Sequence, residues 1–266
     1  MALSGIQIYK MLPQTNCKEC GFATCLAFAM KLAAKQVELS DCPYVTEESK
    51  KQLAESATPP VRLVTLKGKA GEAQAGNEVV LFRHEKKFFN RPGIFIRVVD
   101  TEDDEVIAGK VSAAAAYSVD YVGMDLTIDG FAIEAASGDG ARLAAVVEAV
   151  RASTGLPLIL VGDDPAVLDG GLGKLEGEAP LIMGADPTNW EAMADLAAKY
   201  EAALGVRGGS LEELVELTEK IKDKGTEDLV LHPSVDGMSA SLALNTQIRR
   251  LALKNFRPLG YPTIAF

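Results

Sequence analysis

The sequence predicts an α/β protein in two parts: a small helical module over residues 1–57 and, after a linker at 58–77, a (β/α)8 TIM barrel over 78–266 that stops near its seventh strand. Three observations predict this. All four cysteines fall between positions 17 and 42, so the first part carries chemistry of its own. From residue 61 onward, short β-rich runs alternate with Ala/Leu/Glu/Lys helical stretches, the pattern of parallel strands joined by crossover helices. The strand runs are mostly apolar rather than alternating, as strands covered on both faces must be.

In chain order, Ser4–Leu12 reads as a short helix that Pro13 terminates, and residues 13–21 as a turn-rich loop. A second helix follows, with Phe22, Cys25, Leu26, Ala29, Leu32 and Ala33 at helical spacing. A third, polar helix runs through Glu47–Lys51, and Thr58-Pro59-Pro60 breaks the pattern. The barrel strands are read at Glu78–Arg83, Asp120–Asp125, Leu156–Gly162, Pro180–Gly184, Leu204–Arg207, Asp228–His232 and Pro262–Phe266. Helical segments lie between them at 139–153, 189–203, 210–224 and 238–255. Val61–Thr65 and Ile94–Val98 are additional strand-like pieces suited to a bottom plug or hairpin. No Gly-x-Gly-x-x-Gly turn follows the first strand, which weighs against a dinucleotide-type sheet. Asp125, Asp163, Asp186, Arg207 and His232 sit at strand ends, where a barrel places its functional rim. Seven strands are one short of eight and the last run is apolar, so the sequence is expected to be a fragment.

Composition narrows the function. Hydrophobic residues make up 48% and charged residues 24%, ordinary for a globular chain, and the net charge is −10. Such a balance argues against nucleic acid as a partner. No apolar run approaches the roughly 18 residues of a bilayer span, and the N-terminus lacks a signal-peptide pattern, so no membrane association and a cytoplasmic location are expected. Clustered cysteines also differ from the dispersed pattern of a disulfide-stapled secreted protein.

The cysteine spacing is Cys17-x2-Cys20-x4-Cys25-x16-Cys42, with Pro43 after the last. Four thiolates are soft ligands suited to an iron–sulfur cube or to zinc. Three of them share one tight loop and the first turn of the second helix, so they converge locally, and Cys42 returns from that helix's far end. Gly21 permits close backbone approach, and Phe22, Leu26 and Leu12 are placed to shield one side. Structural zinc sites usually use two Cys-x2–4-Cys knuckles. A three-plus-one cluster closed by Cys-Pro is the ferredoxin habit, so [4Fe–4S] is the reading preferred over zinc.

Leu12-Pro13-Gln14-Thr15-Asn16-Cys17-Lys18-Glu19-Cys20-Gly21-Phe22-Ala23-Thr24-Cys25 resembles the cluster module of the corrinoid iron–sulfur protein large subunit family, the gamma subunit of the acetyl-CoA decarbonylase/synthase system. The resemblance continues through Val80–Lys86 and Arg257–Thr263, so it covers essentially the whole chain. It implies a cluster domain, a central barrel and a C-terminal corrinoid (cobalamin) domain that this sequence lacks. It also implies a heterodimer with a small barrel subunit. The methyl group would arrive from methyltetrahydropterin through a methyltransferase and leave to acetyl-CoA synthase, as in the reductive acetyl-CoA pathway. Cys17, Cys20, Cys25 and Cys42 match the family's cluster ligands one for one, and the cluster would reduce Co(II) to Co(I). The chain would then be a methyl-carrier and electron-transfer component rather than a self-contained enzyme. Two other classes compete: a pterin-dependent methyltransferase with an attached cluster, and a ferredoxin-like subunit of a membrane redox complex.

Other polar motifs have plain structural readings. His84 and His232 are expected to be partly exposed, hydrogen-bonded histidines, too far apart for a metal site. Asp125, Asp163, Asp186 and Asn189 could resemble pterin-binding groups, but Asp186-Pro187-Thr188-Asn189 reads more simply as a helix entry. Gly208-Gly209-Ser210 could cradle a phosphate, but Ser210 with Glu213 fits a capping box. The acidic runs Glu102–Glu105 and Glu212-Glu213 read as solvated faces. No Ser/His/Asp or Cys/His nucleophile set can be assembled.

Overall fold

The computed structural model describes residues 4–33, 36–46, 49–50 and 59–266. The chain divides into two units, Met1–Pro59 and Pro60–Phe266.

In the first unit, Ser4 starts helix α1 (Gly5–Met11) with a capping box: its hydroxyl accepts from the Gln7 amide, and the Gln7 side chain accepts from the Ser4 amide. Pro13 follows the helix end, as expected. Helix α2 (Cys25–Ala33) buries Cys25, Phe28 and Ala29. A 3-10 turn at Leu39–Asp41 then delivers Cys42. Ile8, Leu12, Phe28, Ala29 and Val45 form a small core with the two buried cysteines. The polar helix expected through Glu47–Lys51 falls largely outside the described residues.

The second unit is built on one six-stranded parallel sheet: β3 (Phe95–Val99), β6 (Gly130–Glu134), β7 (Leu158–Val161), β8 (Leu181–Ala185), β9 (Ala203–Gly208) and β10 (Leu229–Pro233). Its spatial order is β3-β6-β7-β8-β9-β10, which is chain order. A doubly wound sheet reverses direction partway; a strictly sequential one, with right-handed crossovers, keeps every helix on one face. That is barrel winding. The crossovers contain α3 (Asp104–Ala115), α4 (Gly140–Ser153), α5 (Pro165–Leu172), α6 (Trp190–Lys199) and α7 (Leu211–Asp223), and α8 (Met238–Leu253) follows β10.

The two faces separate by alternate residues. Val98, Phe131, Ile133, Leu158, Leu160, Ile182, Leu204, Val206, Leu229 and Leu231 join the large core shared with the helices. Ala132, Ile159, Leu181, Met183, Ala203 and Val230 form a second cluster on the other face. Val64 and Leu66 of a hairpin, β1 (Val64–Gly68) with β2 (Gly71–Ala75), pack into that cluster. Gly184 sits at an irregularity in the β8–β9 register with φ +138°, and a Cβ there would stand 2.1 Å from the Gly162 carbonyl oxygen. Only glycine fits.

Several expected elements change. Residues 64–75, inside the segment read as a linker, form the plug hairpin. Glu78–Arg83 is no strand, because the Glu85 carboxylate accepts from the Leu81 and Phe82 amides and turns that segment into a loop. Asp120–Asp125 spans the tip of an exposed antiparallel hairpin, β4 (Ser118–Tyr121) and β5 (Met124–Thr127), broken by left-handed Val122 and Gly123. The first two sheet strands are instead β3, read as a possible plug, and β6, which the sequence reading missed. Residues 262–264 extend the sheet, with a parallel bridge between Leu231 and Thr263.

Candidate metal centre and barrel rim

The cysteine loop has an unusual backbone. Gln14, Asn16, Lys18 and Gly21 all have positive φ, at 56°, 49°, 68° and 81°. Left-handed residues at alternate positions turn a chain sharply, and turns of this kind can aim amides at an anion, as at iron–sulfur sites. Cys17 lies between two such residues. Asn16 fixes the loop to α2: its Oδ1 accepts from the Cys25 amide at 2.8 Å, and its own amide donates to Cys25 Sγ at 3.4 Å. Thr24 Oγ1 accepts from the Ala27 amide, completing the helix start.

Cys25 and Cys42 are buried, Cys20 is half-buried and Cys17 is exposed. Burial pushes the Cys42 thiol up; the Tyr44 backbone amide pulls it down, and the negative charges of Cys20, Cys25 and Cys17 push it up again. Tyr44 donates its hydroxyl to Glu19 at 2.8 Å, tying the return segment to the loop. Among the described residues, no three Cys, His, Asp or Glu side chains gather as a set able to hold one metal ion. Of the expected shields, Leu12 is buried and Phe22 packs on the module core, its ring 5.7 Å from that of Phe28. Leu26 is exposed, and Phe28 fills the core position instead.

At the carboxyl ends of the strands, Arg207 bridges Asp163 (3.0 Å) and Asp186 (2.9 Å). Burial raises the Asp186 carboxyl, but hydrogen bonds from Thr188 and Arg207 outweigh it and hold the group below its ordinary range. Asp186 Oδ1 accepts from the Thr188 amide and hydroxyl; Asn189 accepts from the Asp186 amide and donates to the Asp163 and Gly184 carbonyls. The expected helix entry is there, and its polar groups are engaged with one another. Ser210 caps α7 by accepting from Glu213, whose carboxylate accepts from the Gly209 amide.

His232 Nδ1 lies 3.1 Å from the Ile264 carbonyl, and its ring meets Phe266 edge-on. Asp125 is not at the rim, since it belongs to the exposed hairpin. His84 is exposed on the 76–94 loop, stacked on Phe82. Glu102 pairs with Lys110 and Asp104 with Arg142, so the acidic run is partly engaged. Sequence reasoning missed Asn16 and the Arg97–Glu134 pair on β3 and β6. An Asn before the first cysteine was a visible signal for the former. The latter needed two strands that had not been recognised.

The fold and the thiol loop define a class, a barrel-type α/β protein carrying an iron–sulfur module. Residues 12–44 match a family model described as an Fe-S cluster, and residues 64–266 match the CO dehydrogenase/acetyl-CoA synthase delta subunit. The chain belongs to that second family. Over its whole length it is 43% identical to the corrinoid/iron-sulfur protein large subunit of Moorella thermoacetica, covering 60% of that protein. It is 36% identical to the acetyl-CoA decarbonylase/synthase complex subunit gamma of Methanopyrus kandleri, over 98% of this chain and 57% of the relative. The chain thus spans about 60% of the length of these relatives. The barrel-type fold is shared with dihydropteroate synthase from Thermus thermophilus, at a TM-score of 0.50, 20% identity and 75% coverage of each chain. Among the described residues no helix is long and apolar enough to cross a membrane.

Proposed function

We propose that the chain is the electron-supplying and scaffolding part of a corrinoid/iron–sulfur methyl carrier, with Cys17, Cys20, Cys25 and Cys42 holding a [4Fe–4S] cluster. The observation that carries this reading is the Cys17-x2-Cys20-x4-Cys25-x16-Cys42 spacing, with Cys25 and Cys42 buried in the module core and Asn16 tying the loop of Cys17 to Cys25. Structural zinc sites usually use two Cys-x2–4-Cys knuckles, so a three-plus-one spacing closed by Cys42-Pro43 supports a cluster over a zinc ion.

When bound, the cluster supplies one-electron transfer, used on this reading to return the cobalt of an associated corrinoid from Co(II) to Co(I). The chain's own residues hold and tune it. Cys25 and Cys42 would ligate from the buried side, Asn16 would orient Cys25 and aim its amide at that sulfur, and Leu12 and Phe28 would exclude water. In the second unit the rim carboxylates are satisfied by Arg207 and a helix start, which supports a scaffold over a pterin-dependent methyltransferase. The partners proposed are the small barrel subunit, a methyltetrahydropterin methyltransferase and acetyl-CoA synthase, the assembly accepting a methyl group from the first enzyme and delivering it to the second. No residue of this chain is assigned to the corrinoid.

The test is anaerobic reconstitution with iron and sulfide. About four irons and four sulfides per chain are expected, with visible absorbance that bleaches on reduction. Cys25→Ala and Cys42→Ala should each lose most of the iron. Zinc binding without sulfide, or variants that retain full iron, would refute the assignment.

A further inference from the structure

The 76–94 loop of the second unit plays no part in the proposed cluster chemistry, yet its composition departs from the rest of the molecule. On a chain of net charge −10, residues 79–91 contain Arg83, Lys86, Lys87 and Arg91 against one acid, Glu85. That acid is exposed and holds the turn, its Oε2 accepting from the amides of Leu81 (3.0 Å) and Phe82 (2.9 Å). Arg91 is neutralised by Asp129 at 2.6 Å. Arg83, Lys86 and Lys87 have no carboxylate partner among the described residues, and all three are exposed. With Arg91 paired, Arg83, Lys86 and Lys87 outnumber Glu85 and leave a net positive charge displayed on this turn.

The loop's base is held. Glu78, buried, accepts from the Phe89 and Asn90 amides at 3.1 and 3.4 Å. Asn90 donates to the Gly76 carbonyl, and Arg249 donates to the Val80 carbonyl while its guanidinium lies 4.5 Å from the Phe88 ring centroid. On this platform two large apolar groups face outward: Phe82, 45% exposed and stacked on His84, and Phe89, 59% exposed beneath the Lys86 ammonium. Aromatic anchors beside cations on an extended surface are the composition of a protein-binding patch. Residues 82–87 are all exposed on a turn rather than gathered around a hollow, which fits a macromolecular surface better than a small anion. The acidity of the whole chain disfavours nucleic acid and also a second copy.

We propose that residues 79–91 form a docking surface for an acidic protein partner, with Arg83, Lys86 and Lys87 supplying charge complementarity and Phe82 and Phe89 the apolar anchors. Such a contact should be salt-sensitive. The test uses the full chain and two labelled probes, poly-L-glutamate and the acidic–aromatic copolymer poly(Glu,Tyr), by fluorescence anisotropy at low and raised salt. The copolymer should bind more tightly. The triple change Arg83→Glu, Lys86→Glu, Lys87→Glu should weaken both at least about tenfold. Phe82→Ser with Phe89→Ser should remove the preference for the copolymer. A control with the same charge change elsewhere, Lys69→Glu, Lys222→Glu, Lys254→Glu, should stay within about twofold, and unchanged melting checks that each variant folds. Equal losses in the control, no loss in the loop triple, or an unaltered copolymer preference in the phenylalanine variant would overturn the proposal. So would duplex DNA, tripolyphosphate or phosphatidylglycerol vesicles binding as tightly with the same dependence on the loop cations.

Discussion

Arg151 and Glu178 form an ion pair whose side chains are only 5% and 2% exposed, and replacing one partner should be among the most damaging single changes in the second unit. Arg151, in the last turn of α4, donates to the Thr154 and Leu156 carbonyls at 3.2 and 2.7 Å and to Glu178. The contact fixes the chain between α4 and β7 to the segment entering β8, close to where the plug hairpin meets Gly155 and Ala179. Arg151→Met strands a buried carboxylate and removes two carbonyl contacts. Breaking a buried pair from one side costs about 3–5 kcal/mol. Arg151 Nε and Glu178 Oε1 have no hydrogen-bond partner, so desolvation of the intact pair is incompletely offset. Arg151→Met with Glu178→Leu should therefore recover most of the loss, leaving about 1 kcal/mol, as when apolar residues replace whole buried pairs. For a unit of this size, the single change should lower the melting temperature by about 6–20 °C. Trp190 is the only tryptophan and lies in this unit, so its fluorescence during urea unfolding isolates the relevant transition. A single-variant cost under about 1 kcal/mol, or a double variant as unstable as the single, would refute the reasoning.

Three further outcomes follow from local geometry. Asn16→Ala deprives the Cys25 amide of its acceptor, and iron should be lost to a chelator several-fold faster than from the parent chain, measured by visible absorbance. Val122 is a β-branched residue at φ 55° on the tip of the β4–β5 hairpin, so Val122→Asn should raise stability by about 0.5–1 kcal/mol in thermal melts. The Asp186 carboxyl is held below its ordinary pKa, so its bonds stabilise the folded state at neutral pH, and that contribution is lost as pH falls below the unfolded carboxylate range. Asp186→Asn should cost about 1–2 kcal/mol at pH 7, a gap that narrows under acid titration of stability as the pH drops below about 4.

The sequence alone determined the features that depend on short-range chemistry. The cysteine spacing, the stop at Pro13, the Ser210–Glu213 cap and the Asp186–Asn189 helix entry each involve residues close together in the chain, and the apolar runs of β7 to β10 have no competing local partner. Tertiary structure decided the rest. Glu78–Arg83 has strand-like residues, but one carboxylate four positions on captures its amides. Phe95–Val99 looks peripheral until its register with Gly130–Glu134 makes it the first strand of the sheet. Strand order is a long-range property, because which strands pair depends on how the apolar faces of helices and sheet cover one another. No local periodicity encodes that choice, nor does it reveal that the rim charges are spent on each other while those of the 79–91 loop face outward.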